Sequence, residues 1–510
     1  MSSPNLPALD RCALLQAGIG ILLCALGFFL ARRESYTVQT VLATAGGCNM
    51  PTDIYEPRSG TPAGSVILLH GLVANKKVMS FTAQEFANQD LRVFVPDLPG
   101  HGKTPGPFSP AHTESCADAL IRDLAARKAI VPARTLLVGH SMGGAIAARI
   151  SANSPVAGVL AISPAPMHAT AGLAPELLLF QTPPILSARS LVLSAALEPA
   201  AVREVAEDLV TKSAASANKY QIIPRTTHVS ILFSAAAFNA IRSWTSQLLG
   251  TSSSAPYPQN MPALGCILGL IGLSVLAPPF LREMTASRGA NPSVDSSAAS
   301  SFVRTCFYLL PFSALAIVLL RFFVPFQFLR IFQGGYFASF MFLVGFAMLI
   351  IHRNAIPTLK SFFTASSASS VAASILLILL FGAWFELTFY EAWLTPARWL
   401  RLPLLALIVL PWHLAEELFL GSPPDAPRLV RLFMALAFRA ILWLVLIAAV
   451  FYLHSGQFIY VLLAIYFALF SILQRLATDV IRAQTRSIAA AAIFGAILLA
   501  GFTLAILPVA

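Results

Sequence analysis

The pentapeptide Gly139-His140-Ser141-Met142-Gly143 sets one hydroxyl between two glycines, after the apolar run "RTLLV" and before "GAIAARI". A serine hydroxyl is a weak nucleophile at neutral pH. It needs a base to take its proton and donors to hold the oxyanion that forms. Glycines at these spacings suit a sharp strand-to-helix turn, where neighbours must be small. At a helix start, backbone N–H groups also point to where negative charge develops. The other parts lie elsewhere in the chain. "LLHGLVANKK" (68–77) follows an earlier apolar run with a His-Gly turn. Leu72 in that turn, and Met142 after the serine, would offer the two backbone donors of an oxyanion hole. Downstream, "SLVLSAALE" ends in Glu198, and "RTTHVSILFS" carries His228. Serine, then acid, then histidine is the chain order expected when such a turn crowns a parallel sheet. The bland reading of Ser141 is a turn residue, and of His228 a loop residue. The joint pattern favours nucleophile and base.

These residues need a scaffold, and residues 34–250 read as one. "SVILLHG" (65–71), "RVFVPDLPG" (92–100), "RTLLVGHS" (134–141), "VAGVLAIS" (156–163) and "SLVLSAALE" (190–198) are apolar runs ending in turns. Runs without alternation suit a parallel sheet covered on both faces. Helical patterns fall between them, as at 113–129 and 143–153, with a last helix at 234–248. Strands alternating with helices predict a doubly wound, mostly parallel α/β sheet. "GHGKT" (100–104) is no P-loop, because the first glycine of that motif would fall on Asp97.

With "LLHG", "DLPGHGKT", "GHSMGG", the acid after "SLVLSAAL" and "THVSILFS" together, residues 36–250 resemble the α/β-hydrolase family, in its monoglyceride-lipase and serine-aminopeptidase-like branch. The resemblance implies a Ser141–His228–Glu198 triad and acyl-transfer chemistry, with no metal and no cofactor. It also implies that His70, His101 and His140 are structural. The family's acid is more often an Asp after Gly-x-x. Here it is Glu198 after Ala-Ala-Leu, which leaves Asp208 as the alternative acid.

The rest of the chain is different in kind. Charged residues are 11% and apolar residues 57% of the 510, and mean hydropathy is +0.73. Soluble proteins average about 25% and 45–50%. Residues 13–31 form an uncharged run long enough to span a bilayer, read as a retained anchor in a segment 1–33. After a Ser/Pro linker at 251–262, a transmembrane domain of about eight helices is expected over 263–510. Its spans fall near 263–281, 305–326, 333–351, 370–390, 402–420, 432–453, 458–474 and 487–508. Among short-loop cations, eleven fall on the N-terminal side, Arg288, Arg431, Arg475 and Arg482 among them, and five on the other. The positive-inside rule then puts the N-terminus in the cytoplasm and residues 34–250 outside, in a plasma or inner membrane, although Arg32 and Arg33 oppose this. The net charge of +11 is scattered, which argues against nucleic-acid binding.

Cys48 and Cys116 belong to the polar part; they could pair if it faces an oxidising compartment, with two unpaired thiols the favoured reading. No Cys/His spacing suits zinc. Glu386, Glu391, Glu416, Glu417 and Arg439 lie in or at the ends of spans, where ionisable groups are costly. Glu416 and Glu417 are expected to pair with a cation such as Arg439 or with a lipid head group. "HLAEELFLG" faintly resembles the Glu-Glu motif of the prenyl-protein proteases, but Gly421 stands where that pattern has Arg.

A short apolar segment, 164–189, stands where the family carries a lid. The expected function is therefore a membrane-embedded serine hydrolase. It would cleave ester, thioester or amide bonds of membrane lipids or acylated, lipid-like small molecules. The layout resembles the inositol deacylases in outline only. Two alternatives belong to other classes: a transporter-like protein with a regulatory or cargo-processing hydrolase domain, and a non-catalytic binding module of hydrolase fold. The acyl group, the acceptor and the oligomeric state stay open.

Overall fold

The computed structural model describes the chain except residues 1–10, 32–37, 58–59, 171–172, 174, 176–177, 187–188, 214–217, 260, 286–301, 323–325 and 422–426. Arg32, Arg33, Arg288 and parts of the 164–189 segment therefore lie outside the described residues. In chain order the helices are α1 (Arg11–Ala31), α2 (Ser80–Ala87), α3 (Pro110–Ala126), α4 (Met142–Ser151), α5 (Ala200–Thr211), α6 (Ala235–Leu249), α7 (Met261–Thr285), α8 (Phe302–Phe322), α9 (Gly334–Ile351), α10 (Ala365–Thr388), α11 (Pro396–Leu420), α12 (Arg428–Tyr452), α13 (Ile459–Thr485) and α14 (Ile488–Ile506). The chain divides into two compact units.

The first unit comprises Arg33–Pro262, Phe389–Glu391 and Ile506–Ala510. Its eight strands are β1 (Val38–Ala45), β2 (Cys48–Tyr55), β3 (Gly64–Leu69), β4 (Leu91–Pro96), β5 (Thr135–His140), β6 (Gly158–Ile162), β7 (Arg189–Ala195) and β8 (Lys219–Ile223). They form one sheet in the order β1-β2-β4-β3-β5-β6-β7-β8. From β4 to β8 all neighbours run parallel. This is a doubly wound, mostly parallel α/β sheet, and Val66–Leu69 and Leu136–Val138 form its sealed centre.

Three strands went unread in the sequence. β1 and β2 form an antiparallel hairpin, closed by Gly46 and Gly47 at φ 56° and 78°. Two glycines with positive φ suit the primed turns that match strand twist. β1 is an edge strand of mixed polarity, and β8 is short and mostly exposed, so neither is a clear apolar run. The hairpin is tied to α3 by a Cys48–Cys116 disulfide. This corrects the expectation of two unpaired thiols: pairing of strand with helix brings together cysteines far apart in sequence. Far from either partner in sequence, Val509 donates to the Gly100 carbonyl (3.1 Å) and accepts from the Phe108 N–H (2.6 Å).

The second unit is helical. Among the described residues, nine helices are long and apolar enough to cross a membrane: α1 and α7 through α14. Small residues let them approach closely. A Cβ at Gly27 would fall 2.6 Å from the Gly265 carbonyl oxygen, and one at Gly272 would fall 2.7 Å from Cys24 Sγ. Close backbone approach of this kind favours helix association in lipid. Arg431, Arg475 and Arg482, expected in loops, lie buried in α12 and α13 instead. Helix α13 extends well past residue 474, and these side chains face carboxylates. They therefore leave the count of loop cations, although the same side stays ahead. Arg439 donates to both Glu416 oxygens (2.7 and 2.8 Å). Arg475 pairs with Glu417 and with Asp479, the latter at 2.6 Å. Arg431 lies 3.2 Å from Asp479.

Candidate active site

The register of the sheet brings the candidate residues to one edge. Leu69 at the end of β3 pairs with Gly139 near the end of β5. The turns that follow, His70-Gly71-Leu72 and His140-Ser141, thus leave the sheet side by side. A Cβ on Gly71 would lie 3.1 Å from the Ser141 Cβ. Glu198 follows β7 and His228 follows β8 at the same, carboxyl end of the parallel strands, where open α/β sheets carry their sites.

Ser141 has φ 53° and ψ −118°. That backbone is strained for any residue with a Cβ, and it persists only because its surroundings determine it. The Ser141 N–H donates to the Ile162 carbonyl (3.0 Å), and its carbonyl accepts from Ala145 and Ala165. The glycines are steric necessities. A Cβ at Gly139 would collide with the Gly143 carbonyl, and one at Gly143 would come within 2.6 Å of the His70 carbonyl oxygen. Met142 opens α4, so its N–H has no carbonyl a turn back within the helix. The Leu72 amide has no hydrogen-bond partner among the described residues. Gly71, Leu72, Val73 and Ala74 form a turn closed by Ala74 N–H to the Gly71 carbonyl (3.2 Å).

His228 Nδ1 lies 2.6 Å from Glu198 Oε1. The other carboxylate oxygen accepts from the Ala195 N–H (2.9 Å) and the Ser163 hydroxyl (3.2 Å). Arg203 donates to the carbonyls of Glu198 and Ala196, closing the turn around the acid. Asp208, the alternative acid, sits on α5 and bonds Lys212 (2.6 Å) and His168 (2.9 Å). The Lys212 hydrogen bond holds its carboxyl below the usual range, and it makes no contact with His228. The geometry therefore brings Ser141, Leu72, Met142, Glu198 and His228 to one edge and leaves Asp208 aside.

The three other histidines are fixtures. His140 Nε2 bonds the His228 carbonyl at 2.7 Å, and burial, with His228 adding, pushes its ring down to about 3. His70 Nε2 accepts from the Leu98 N–H (2.9 Å), and burial lowers its pKa to about 4. His101 packs between the rings of His70 and Phe108. Two groups were not found from the sequence. Ser163 supports the acid, and Lys76, three residues past the loop valine, is buried against Asp97. "ANKK" has no spacing that would single Lys76 out. Cys48, His112 and Cys116 could gather ligand atoms for a metal within 4.8 Å, but the sulfurs are joined to each other and have no thiolate to offer.

The family model agrees with the fold. Residues 66–292 match the model of the alpha/beta hydrolase family. A thermophilic esterase from Thermogutta terrifontis is 17% identical, with TM-score 0.33, over 41% of this chain and 99% of its own. EstE1, a thermostable carboxylesterase from a metagenomic library, is 16% identical, with TM-score 0.36, over 48% and 99%. An alpha-beta serine hydrolase homologue from Coxiella burnetii is 16% identical, with TM-score 0.33, over 42% and 99%. No curated protein matches the chain. The fold and the arrangement of its motifs define an α/β-hydrolase domain, carried by a chain that also holds long apolar helices.

Proposed function

We propose that the chain is a multi-pass membrane serine hydrolase acting on acyl bonds of lipids or lipid-linked molecules. The observation that carries this reading is Ser141, held in strained backbone at the head of α4 beside a free loop amide. His228 would take the Ser141 proton as Oγ attacks the carbonyl carbon. Glu198 fixes the imidazole through Nδ1 and stabilises the cation that forms. The Leu72 and Met142 amides would hold the oxyanion. His228 returns the proton to the leaving group, and water, activated by the same histidine, then releases the acyl group.

An apolar rim supports a greasy substrate. Leu197 and Val229, each next in sequence to a triad member, are 68% and 38% exposed. Nine apolar helices in the same chain would give such a substrate a bilayer to come from. A disulfide in the hydrolase unit suits an oxidising compartment, in line with placement outside the cytoplasm. A fluorophosphonate probe tests the chemistry. Wild type should label, and Ser141→Ala and His228→Ala should not. An unlabelled, folded wild type would sink the reading. Lipid profiling of membranes with wild type against Ser141→Ala would then identify the substrate.

A further inference from the structure

The tripeptide Phe389-Tyr390-Glu391 lies in the chain between α10 and α11 but belongs to the hydrolase unit. We infer that it is a positioning element of the proposed active site, with Tyr390 and Glu391 holding the Gly71–Lys76 loop so that the Leu72 amide is aimed at the oxyanion. The inference rests on the hydrolase reading of that site.

Three contacts carry it. The first is made by Tyr390. Leu72 and Val73 are the central residues of the loop turn, and Val73 has φ 56°. The third position of such a turn wants glycine, and a β-branched residue there is strained. The Tyr390 hydroxyl donates to the Val73 carbonyl (2.9 Å). That bond comes from a residue 317 positions away and braces the carbonyl of the strained residue that follows Leu72.

The second contact is made by Glu391. Lys76 ends the loop, and its backbone N–H donates to Asp97 Oδ1 (2.9 Å) while its ammonium donates to Asp97 Oδ2 (2.7 Å) and to Glu391 Oε1. Lys76, Asp97 and Glu391 are only 3%, 0% and 2% exposed. One lysine and one aspartate would already balance in charge. A second buried carboxylate adds desolvation and repulsion from Asp97, which weakens any account in terms of stability alone. What it does add is a second anchor on the loop end. Burial, with Asp97 beside it, pushes the Glu391 carboxyl up to about 7 against the pull of Lys76. Its other neighbours of this kind are His70, directly before the loop, and Asp53, on β2.

The third contact is made by Phe389. Its ring centroid lies 6.4 Å from Phe81, on the helix after the loop, and 5.8 Å from Phe233, in the turn after His228. Phe81 and Phe233 also meet edge to face at 5.0 Å. One side chain thus joins the segments that follow the oxyanion loop and the base.

The test uses the full-length protein in detergent micelles, with p-nitrophenyl esters as substrate and an alkyl trifluoromethyl ketone as an oxyanion-forming inhibitor. Tyr390→Phe and Glu391→Gln should each lower kcat on the order of 10- to 100-fold, the penalty of a misplaced donor. KM should stay within about twofold, and ketone affinity should fall in step with kcat/KM, because only the oxyanion state is affected. Glu391→Asp should recover part of the loss. Thermal unfolding run alongside separates aim from folding. Wild-type kcat and ketone affinity in both variants would overturn the inference, as would losses that match only the unfolded fraction. A wild type that neither labels with fluorophosphonate nor turns over ester would instead overturn the hydrolase reading beneath it.

Discussion

At the scale of single residues, geometry sets one of the two candidate acids against His228. Glu198 is buried, bonded to His228, and accepts from Ala195 and Ser163. Asp208 is bonded to a lysine and another histidine on a helix surface. Glu198→Gln keeps the shape but loses the charge that orients the imidazole and stabilises its cation. Its turnover should fall by on the order of 10²–10⁴-fold, with KM little changed. Asp208→Asn should turn over at the wild-type rate. Ester kinetics on the two purified variants check both, and the reverse pattern would make Asp208 the acid. Ser141 itself was legible because the steric demand for glycines at 139 and 143 is local and leaves a mark in sequence. Lys76 was not legible. Its burial comes from Asp97 and Glu391, two residues that local spacing does not connect to it.

At the scale of elements, the hairpin β1–β2 and helix α3 depend on the Cys48–Cys116 bond. It closes a loop of 68 residues, which in the chain-entropy account contributes about 4 kcal/mol. Cys48→Ser with Cys116→Ser should lower the unfolding temperature of the hydrolase unit by many degrees while leaving Ser141 labelling intact at low temperature. Calorimetry and probe labelling read the two effects separately. Equal melting with and without the bond would show that Met50, Leu120 and the rest of the apolar cluster around it suffice. The five central strands were legible because both their faces are buried and each reads as an apolar run. The edge strands were not, since half of each faces solvent and the pattern dissolves into mixed polarity.

At the scale of the whole molecule, the helical unit carries an ionic cluster that apolar periodicity hides. Glu416, Glu417, Asp479, Arg431, Arg439, Arg475 and Arg482 are all buried within helices. Four arginines face three carboxylates, each within ion-pair distance of an opposite charge, and the bidentate Arg439–Glu416 pair is the best formed. Removing one partner leaves a buried charge unmatched, at about 3–5 kcal/mol. Glu416→Ala should therefore destabilise the helical unit by that amount. Replacing both partners, as Glu416→Leu with Arg439→Met, should recover most of it. Unfolding in mixed micelles measures both. A double variant no better than the single would mean that Arg475, which also lies 3.5 Å from Glu416, carries the cluster.

The sequence by itself determined the glycine-flanked turn that presents Ser141 and the long apolar helices. Glycine spacing around a nucleophile is a steric rule within five residues, and an apolar run long enough for a bilayer is a property of about twenty. Both are local, so both can be read along the chain. Tertiary structure alone decided which groups answer one another across long separations. It joined Cys48 to Cys116, chose Glu198 over Asp208 for His228, and paired the intrahelical arginines with their carboxylates. It also took Tyr390 and Glu391 from between two apolar helices and set them on the loop beside Ser141. A hydrogen bond or ion pair depends on where two side chains meet in space, and the distance between them along the chain leaves no pattern to read.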